Sequence, residues 1–130
     1  MVKAKRFFID TNVFLRSVLD DNLLQAKEAR LLFESSVLNK IELKTSVVVI
    51  FEAAWVLKSY YNVTKEALRK VLLDILELKV SFFGKKIFKL AVRDMDKFEY
   101  DLEDAFNFYT AKELEVDEFV TFDKKLQKKW

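Results

Sequence analysis

The chain contains no histidine, no cysteine and no proline, and its single glycine is Gly84. Each absence closes a class of chemistry. Without cysteine there is no disulfide framework, no thiolate nucleophile and no cysteine-ligated zinc. Without histidine, Ser-His-Asp hydrolysis and histidine acid–base cleavage of RNA are both excluded. One glycine cannot build the phosphate-binding loops and dinucleotide turns that need several. No apolar run approaches the roughly 20 residues of a membrane span. Asp10 breaks the apolar stretch that follows the basic start, so a signal peptide is not expected and a cytoplasmic location is. The formal net charge of the 130 residues is only +2, so any attraction to a polyanion must come from local clustering. Carboxylates, lysines, tyrosines and a bound metal remain as agents of chemistry.

The residues that are present describe a folded α/β protein. A hydrophobic content of 52% beside 34% charged residues supports a packed core within one domain, residues 1–130. Residues 5–9 read as a first strand, and residues 22–38 carry apolar side chains at helical spacing (Leu23, Ala26, Leu31, Val37). Residues 40–45 alternate as a half-buried strand. Ser46 is a suitable N-cap for a helix running through Glu52 to residue 60, and Thr64 for one ending near residue 76. Residues 80–83 form a short strand candidate stopped by Gly84, residues 85–95 and 101–115 read as helices, and residues 118–122 as a last strand. Strands alternating with helices imply a three-layer α/β/α arrangement around a short central parallel sheet.

Four acidic residues stand out from this pattern. Asp10 ends the first strand, Glu52 interrupts an apolar helix, Asp104 lies near the start of a later helix, and Asp123 closes the last strand candidate. A lone buried carboxylate costs several kcal/mol unless it is paired, hydrogen-bonded or metal-bound. In open parallel sheets, ligands collect beyond the carboxyl ends of the strands. On this reading the topology carries all four acids to one rim. Two carboxylates about 5 Å apart repel by roughly 3 kcal/mol at an effective dielectric near 20, so the set requires a counter-charge. One or two Mg²⁺ ions, which suit hard oxygen ligands, fit that requirement.

The order Asp10-Thr11-Asn12-Val13, Glu52 in an apolar helix, Asp104-Ala105 and Thr121-Phe122-Asp123 resembles the PIN domain, and more narrowly the VapC-type toxin ribonucleases of toxin–antitoxin pairs. The resemblance implies a Mg²⁺- or Mn²⁺-dependent endoribonuclease, usually a homodimer, held inactive by a cognate antitoxin protein. It assigns catalytic and metal-site roles to Asp10, Glu52, Asp104 and Asp123, with Thr11, Asn12 and Thr121 as polar support. The stretch from Glu115 to Glu118 lacks the glycine often found there in such proteins. A PIN nuclease of RNA maturation or decay, and an inactive PIN-like module that docks partners, are the alternatives.

Each of these residues also has a purely structural role open to it. Asp10 and Asp123 suit the N-caps of the helices that follow them, and Glu52 could pair with a cation from another helix. Asp101 and Asp104 resemble a capping box with aspartate in place of glutamate, which makes Asp101 a cap or outer-shell acid rather than a ligand. The aromatic residues, phenylalanine above all, occur at core periodicity and read mostly as core rather than as base-stacking surfaces. Lys85, Lys86, Lys89 and Arg93 share a broad helix face, and Lys124 and Lys125 begin a basic tail beside Asp123. Such groups are commonly solvated surface, yet a basic rim around an acidic pocket is also what phosphate-backbone binding requires.

Overall fold

Three short strands, β1 (Lys5–Phe8), β2 (Ile41–Lys44) and β3 (Val80–Ser81), pair in parallel in the order β1-β2-β3. A computed structural model describes residues 3–95 and 102–130, so Asp101 lies outside the described residues. Parallel neighbours cannot be joined by a hairpin, and each crossover contains helices. Helices α1 (Thr11–Val18) and α2 (Leu23–Val37) connect β1 to β2, while α3 (Val47–Ser59) and α4 (Lys65–Glu77) connect β2 to β3. Helices α5 (Lys85–Asp94), α6 (Leu102–Glu113) and α7 (Lys124–Lys129) follow. The described residues therefore form a mixed α/β fold with seven helices and a short parallel sheet, as the alternating pattern predicts.

Local chemistry explains where the helices start. Asn22, Ser46 and Thr64 each accept a hydrogen bond from the backbone N–H three residues on, satisfying a donor that the first turn leaves unpaired. Gly84 precedes α5 with φ of 83°, a left-handed conformation that a β-carbon disfavours. The register aligns Phe7 with Leu43 and Leu43 with Val80 on one face of the sheet, and Leu43 and Val80 are buried. Around them pack Phe14, Ile50, Leu57, Leu72, Phe88 and Val92, all fully buried or nearly so. Phe51 from α3 meets Phe88 and Phe106 edge-on, each at 5.3 Å between ring centroids. This aromatic joint locks α5 and the first half of α6 against the middle of α3.

Two strand expectations are corrected. The strand expected at residues 80–83 is only Val80–Ser81, and Phe83 is exposed beyond it. Residues 118–122 are not a strand. Phe119 instead packs on Phe108 and Trp130, the Thr121 hydroxyl accepts from the Asp123 N–H, and the Gln127 amide donates to the Thr121 carbonyl. The Trp130 indole donates to the Asp117 carbonyl at 3.0 Å. These local side-chain to backbone bonds compete directly with ladder pairing. Val120 and Phe122 consequently face solvent.

Candidate functional site

The carboxyl end of β1 is fixed by its neighbours before any acid is reached. The Ile9 N–H donates to the Lys44 carbonyl at 2.9 Å, and the buried Thr45 hydroxyl donates to the Ile9 carbonyl at 2.8 Å. Asp10 follows in extended conformation and N-caps α1, its Oδ1 accepting from the Thr11 N–H at 2.7 Å. Thr11 itself is only 6% exposed, and its hydroxyl donates to Glu52 Oε2 at 2.9 Å. Residues 41 apart in sequence are thus joined at the strand end. Asp10 and Glu52 are the two acids that this geometry brings together, with Thr11 as the link.

The other predicted residues are placed differently. Asp104 is half-buried in the first turn of α6, two residues before Phe106, whose ring packs on Phe51 of α3. Asp123 is exposed and N-caps α7, its Oδ1 accepting from the N–H groups of Lys125 and Leu126. It therefore closes a turn rather than a strand. Thr121 supports that turn through its hydroxyl. Asn12 is exposed and lines, with Val13, Arg16, Gln25 and Leu32, a groove of about 450 Å³ between α1 and α2. Burial was the premise that singled out the acids, and it fails for three of them: Asp10, Glu52 and Asp123 are exposed. Water solvates them, so their placement carries no desolvation cost of the size expected.

Among the described residues, no three acidic side chains come together as a group able to hold a metal ion. The donor set nevertheless fits Mg²⁺ in kind. That ion binds oxygen ligands and is commonly held by one or two carboxylates, with water and substrate phosphate completing its shell. Asp10 and Glu52 supply two such carboxylates. Each keeps acceptor capacity beyond the one oxygen already engaged, since an ionised carboxylate offers about four lone-pair sites.

The basic residues divide in the same way. Lys85 is half-buried, and its ammonium donates to the Val80 carbonyl at 2.6 Å, which makes it a structural clamp at the end of β3 rather than part of a free basic face. Burial pulls its pKa below the usual lysine value, and the Lys89 charge adds to that shift. Lys86, Lys89 and Arg93 are exposed on α5, with Arg93 Nε 3.8 Å from Asp94. Lys124 and Lys125 are exposed in the first turn of α7, next to Asp123.

Two clusters were not anticipated from the sequence. Arg16 and the Tyr61 hydroxyl both donate to Asp21, at 2.5 and 2.9 Å, tying the end of α1 to the segment after α3. The Arg16 bond is the main cause that holds the Asp21 carboxyl below its ordinary pKa. Tyr109 donates to the buried Asp94, joining α6 to α5. No pattern of spacing marks either cluster.

A family model for the PIN domain matches residues 7–129. No curated protein matches the chain.

Proposed function

The chain belongs to the PIN domain family, and from that premise we propose that it is a Mg²⁺- or Mn²⁺-dependent endoribonuclease, the VapC-type toxin of a toxin–antitoxin pair. The family implies a nuclease fold acting on phosphodiester bonds. The observation that carries the finer reading is the Thr11–Glu52 hydrogen bond, which sets Glu52 beside Asp10 at the carboxyl end of a parallel strand. In this reading Asp10 and Glu52 hold the ion, and Asp104 and Asp123 complete the acidic site around the bound substrate. The ion, when bound, acidifies a water and polarises the scissile phosphate. Thr11 holds the Glu52 carboxylate through one oxygen, which leaves the other free to accept. In this reading the exposed Lys86, Lys89, Lys124 and Lys125 neutralise backbone phosphates without reading sequence. One domain over residues 1–130, a homodimer, an antitoxin partner and a cytoplasmic location belong to the same proposal. Among the described residues, no helix is long and apolar enough to cross a membrane.

A second reading has its own observation. Asp10 and Asp123 both serve as helix caps, which is all that an inactive, partner-binding PIN module would need of them. Cleavage of a pooled RNA by the purified protein in Mg²⁺, Mn²⁺ or EDTA, with wild type beside Asp10→Asn, separates the two. Asparagine caps a helix as well as aspartate does, so the variant keeps its fold. We expect EDTA to abolish cleavage and Asp10→Asn to lower it at least 100-fold. EDTA-insensitive cleavage, or full activity in the variant, overturns the proposal. Growth arrest on expression, relieved by a neighbouring gene's product, tests the toxin role.

A further inference from the structure

The face of α3 that presents Glu52 continues into an aromatic pair that the fold leaves uncovered. Trp55 lies three residues beyond Glu52, one turn along the same side of the helix and about 4.5 Å along its axis. It lies among the buried Ala53, Ala54 and Leu57, yet it is 56% exposed. Tyr60, which caps α3, is 71% exposed and meets the Trp55 ring edge-on, with centroids 5.9 Å apart and planes at 80°. Such a pair covers at most one face of one ring.

The pair is held in place from outside α3. Tyr61 donates to Asp21, which also accepts from Arg16, so the segment carrying Tyr60 is tied back to α1, the helix that begins with Asp10 and Thr11. The acidic site and the aromatic pair therefore share two anchored elements. Lys58, exposed and three residues beyond Trp55, places a cationic residue on the next turn of the same helix.

We propose that Trp55 and Tyr60 form a stacking platform for an unpaired base of single-stranded RNA, one turn of α3 from Glu52. This rests on the nuclease reading and adds to it how the strand is held. Aromatic rings beside a phosphate-neutralising cation are the means by which proteins bind single strands without reading sequence. A base paired within a duplex has both faces stacked and cannot use such a platform. A second copy of the chain covering Trp55 is the competing occupant. Continuity with the acidic pair, the neighbouring lysine and the rigid edge-to-face geometry favour the nucleic acid.

The test uses the full chain. KM and kcat for single-stranded RNA are compared in wild type, Trp55→Ala, Tyr60→Ala and Trp55→Phe. In a Trp130→Phe background Trp55 is the sole tryptophan, so its fluorescence reports directly on an oligoribonucleotide added in EDTA. Stacking is worth roughly 1–3 kcal/mol per base, equivalent to about 5- to 150-fold in affinity. We expect KM to rise about tenfold in Trp55→Ala with kcat within twofold, Trp55→Phe to restore most of it, and RNA to quench Trp55. Unchanged KM with no quenching overturns the platform and leaves the nuclease reading intact. Conversion of a dimer to a monomer by Trp55→Ala, again without quenching, assigns the surface to a second copy and also overturns it. If the wild type cleaves nothing, the nuclease reading falls, and quenching of Trp55 alone decides whether the platform binds RNA.

Discussion

The bond from the Thr11 hydroxyl to Glu52 joins two distant acids of the proposed site, so its energy is worth measuring. The perturbation is a double-mutant cycle of Thr11→Val and Glu52→Ala. Valine nearly preserves the volume of a side chain that is 6% exposed, and alanine suits a helix position. A hydrogen bond to an ionised acceptor contributes about 1.5–3 kcal/mol. Glu52 is exposed, however, and water reclaims its carboxylate when the hydroxyl is lost, so the coupling should be nearer 1 kcal/mol. Any repulsion between Glu52 and Asp10 is untouched by Thr11→Val and cancels in the cycle. Urea unfolding of the four proteins without metal reads the energies. Thr11→Val should cost about 1 kcal/mol beside Glu52 and close to nothing beside Ala, with a Tm difference of about 4 °C for a chain of this size. Additivity to within about 0.3 kcal/mol, the behaviour of independent sites, would refute the claim that Thr11 positions Glu52.

Two further outcomes follow from local geometry. Glu115 sits at φ of 56° just past α6, and the N–H groups of Glu115 and Val116 bond back to the Lys112 and Ala111 carbonyls, a helix end that favours glycine. Glu115→Gly should stabilise by about 0.5–1 kcal/mol by urea unfolding, whereas Glu115→Ala keeps the strain and gains only the removal of an acid from a helix C-terminus; a glycine variant no more stable than the alanine one contradicts this. Burial, and then the bond to Asp94, push the Tyr109 phenol up to about 12. A raised folded pKa means this stabilisation is complete below the unfolded value near 10 and is lost as pH rises toward 12. Stability of the wild type should therefore fall more steeply than that of Tyr109→Phe between pH 10 and 12, and parallel alkaline limbs would count against the raised phenol pKa.

The helices were legible because their signals are local. Ser46 and Thr64 cap where their types and the apolar spacing placed them, and the alternation of strand and helix gave the parallel sheet. Residues 118–122 misled because alternation reports a preference for an extended chain, while Trp130 and Gln127, several residues further on, supply the bonds that turn the segment away. The acids were found by an argument from burial that the structure reverses for Asp10, Glu52 and Asp123: Asp10 and Asp123 are exposed helix caps, and Glu52 is exposed within the otherwise apolar α3. Lys85 shared a basic pattern with Lys86 and Lys89, and only the proximity of the Val80 carbonyl removes it from that face. Trp55 was passed over because its neighbours in sequence are core residues and one-dimensional periodicity does not say which neighbour stops short.

Capping and metal binding are not rival assignments for Asp10. The cap bond engages one oxygen and fixes the side chain in a single orientation at the positive end of the α1 dipole. That dipole amounts to about half an elementary charge at the helix N-terminus and contributes about 0.3–1 kcal/mol to an exposed anion. The cap therefore holds the acid in place without neutralising it. What remains is a negative field beside Glu52 with a rigid backbone behind it, and this is what a divalent cation, rather than a lysine on a mobile stem, offsets best. Asp10→Asn separates the two contributions because it keeps the cap and deletes the charge. If cation affinity falls while the urea midpoint stays put, the residue acts through its charge; if both stay put, Asp10 is a cap and nothing more.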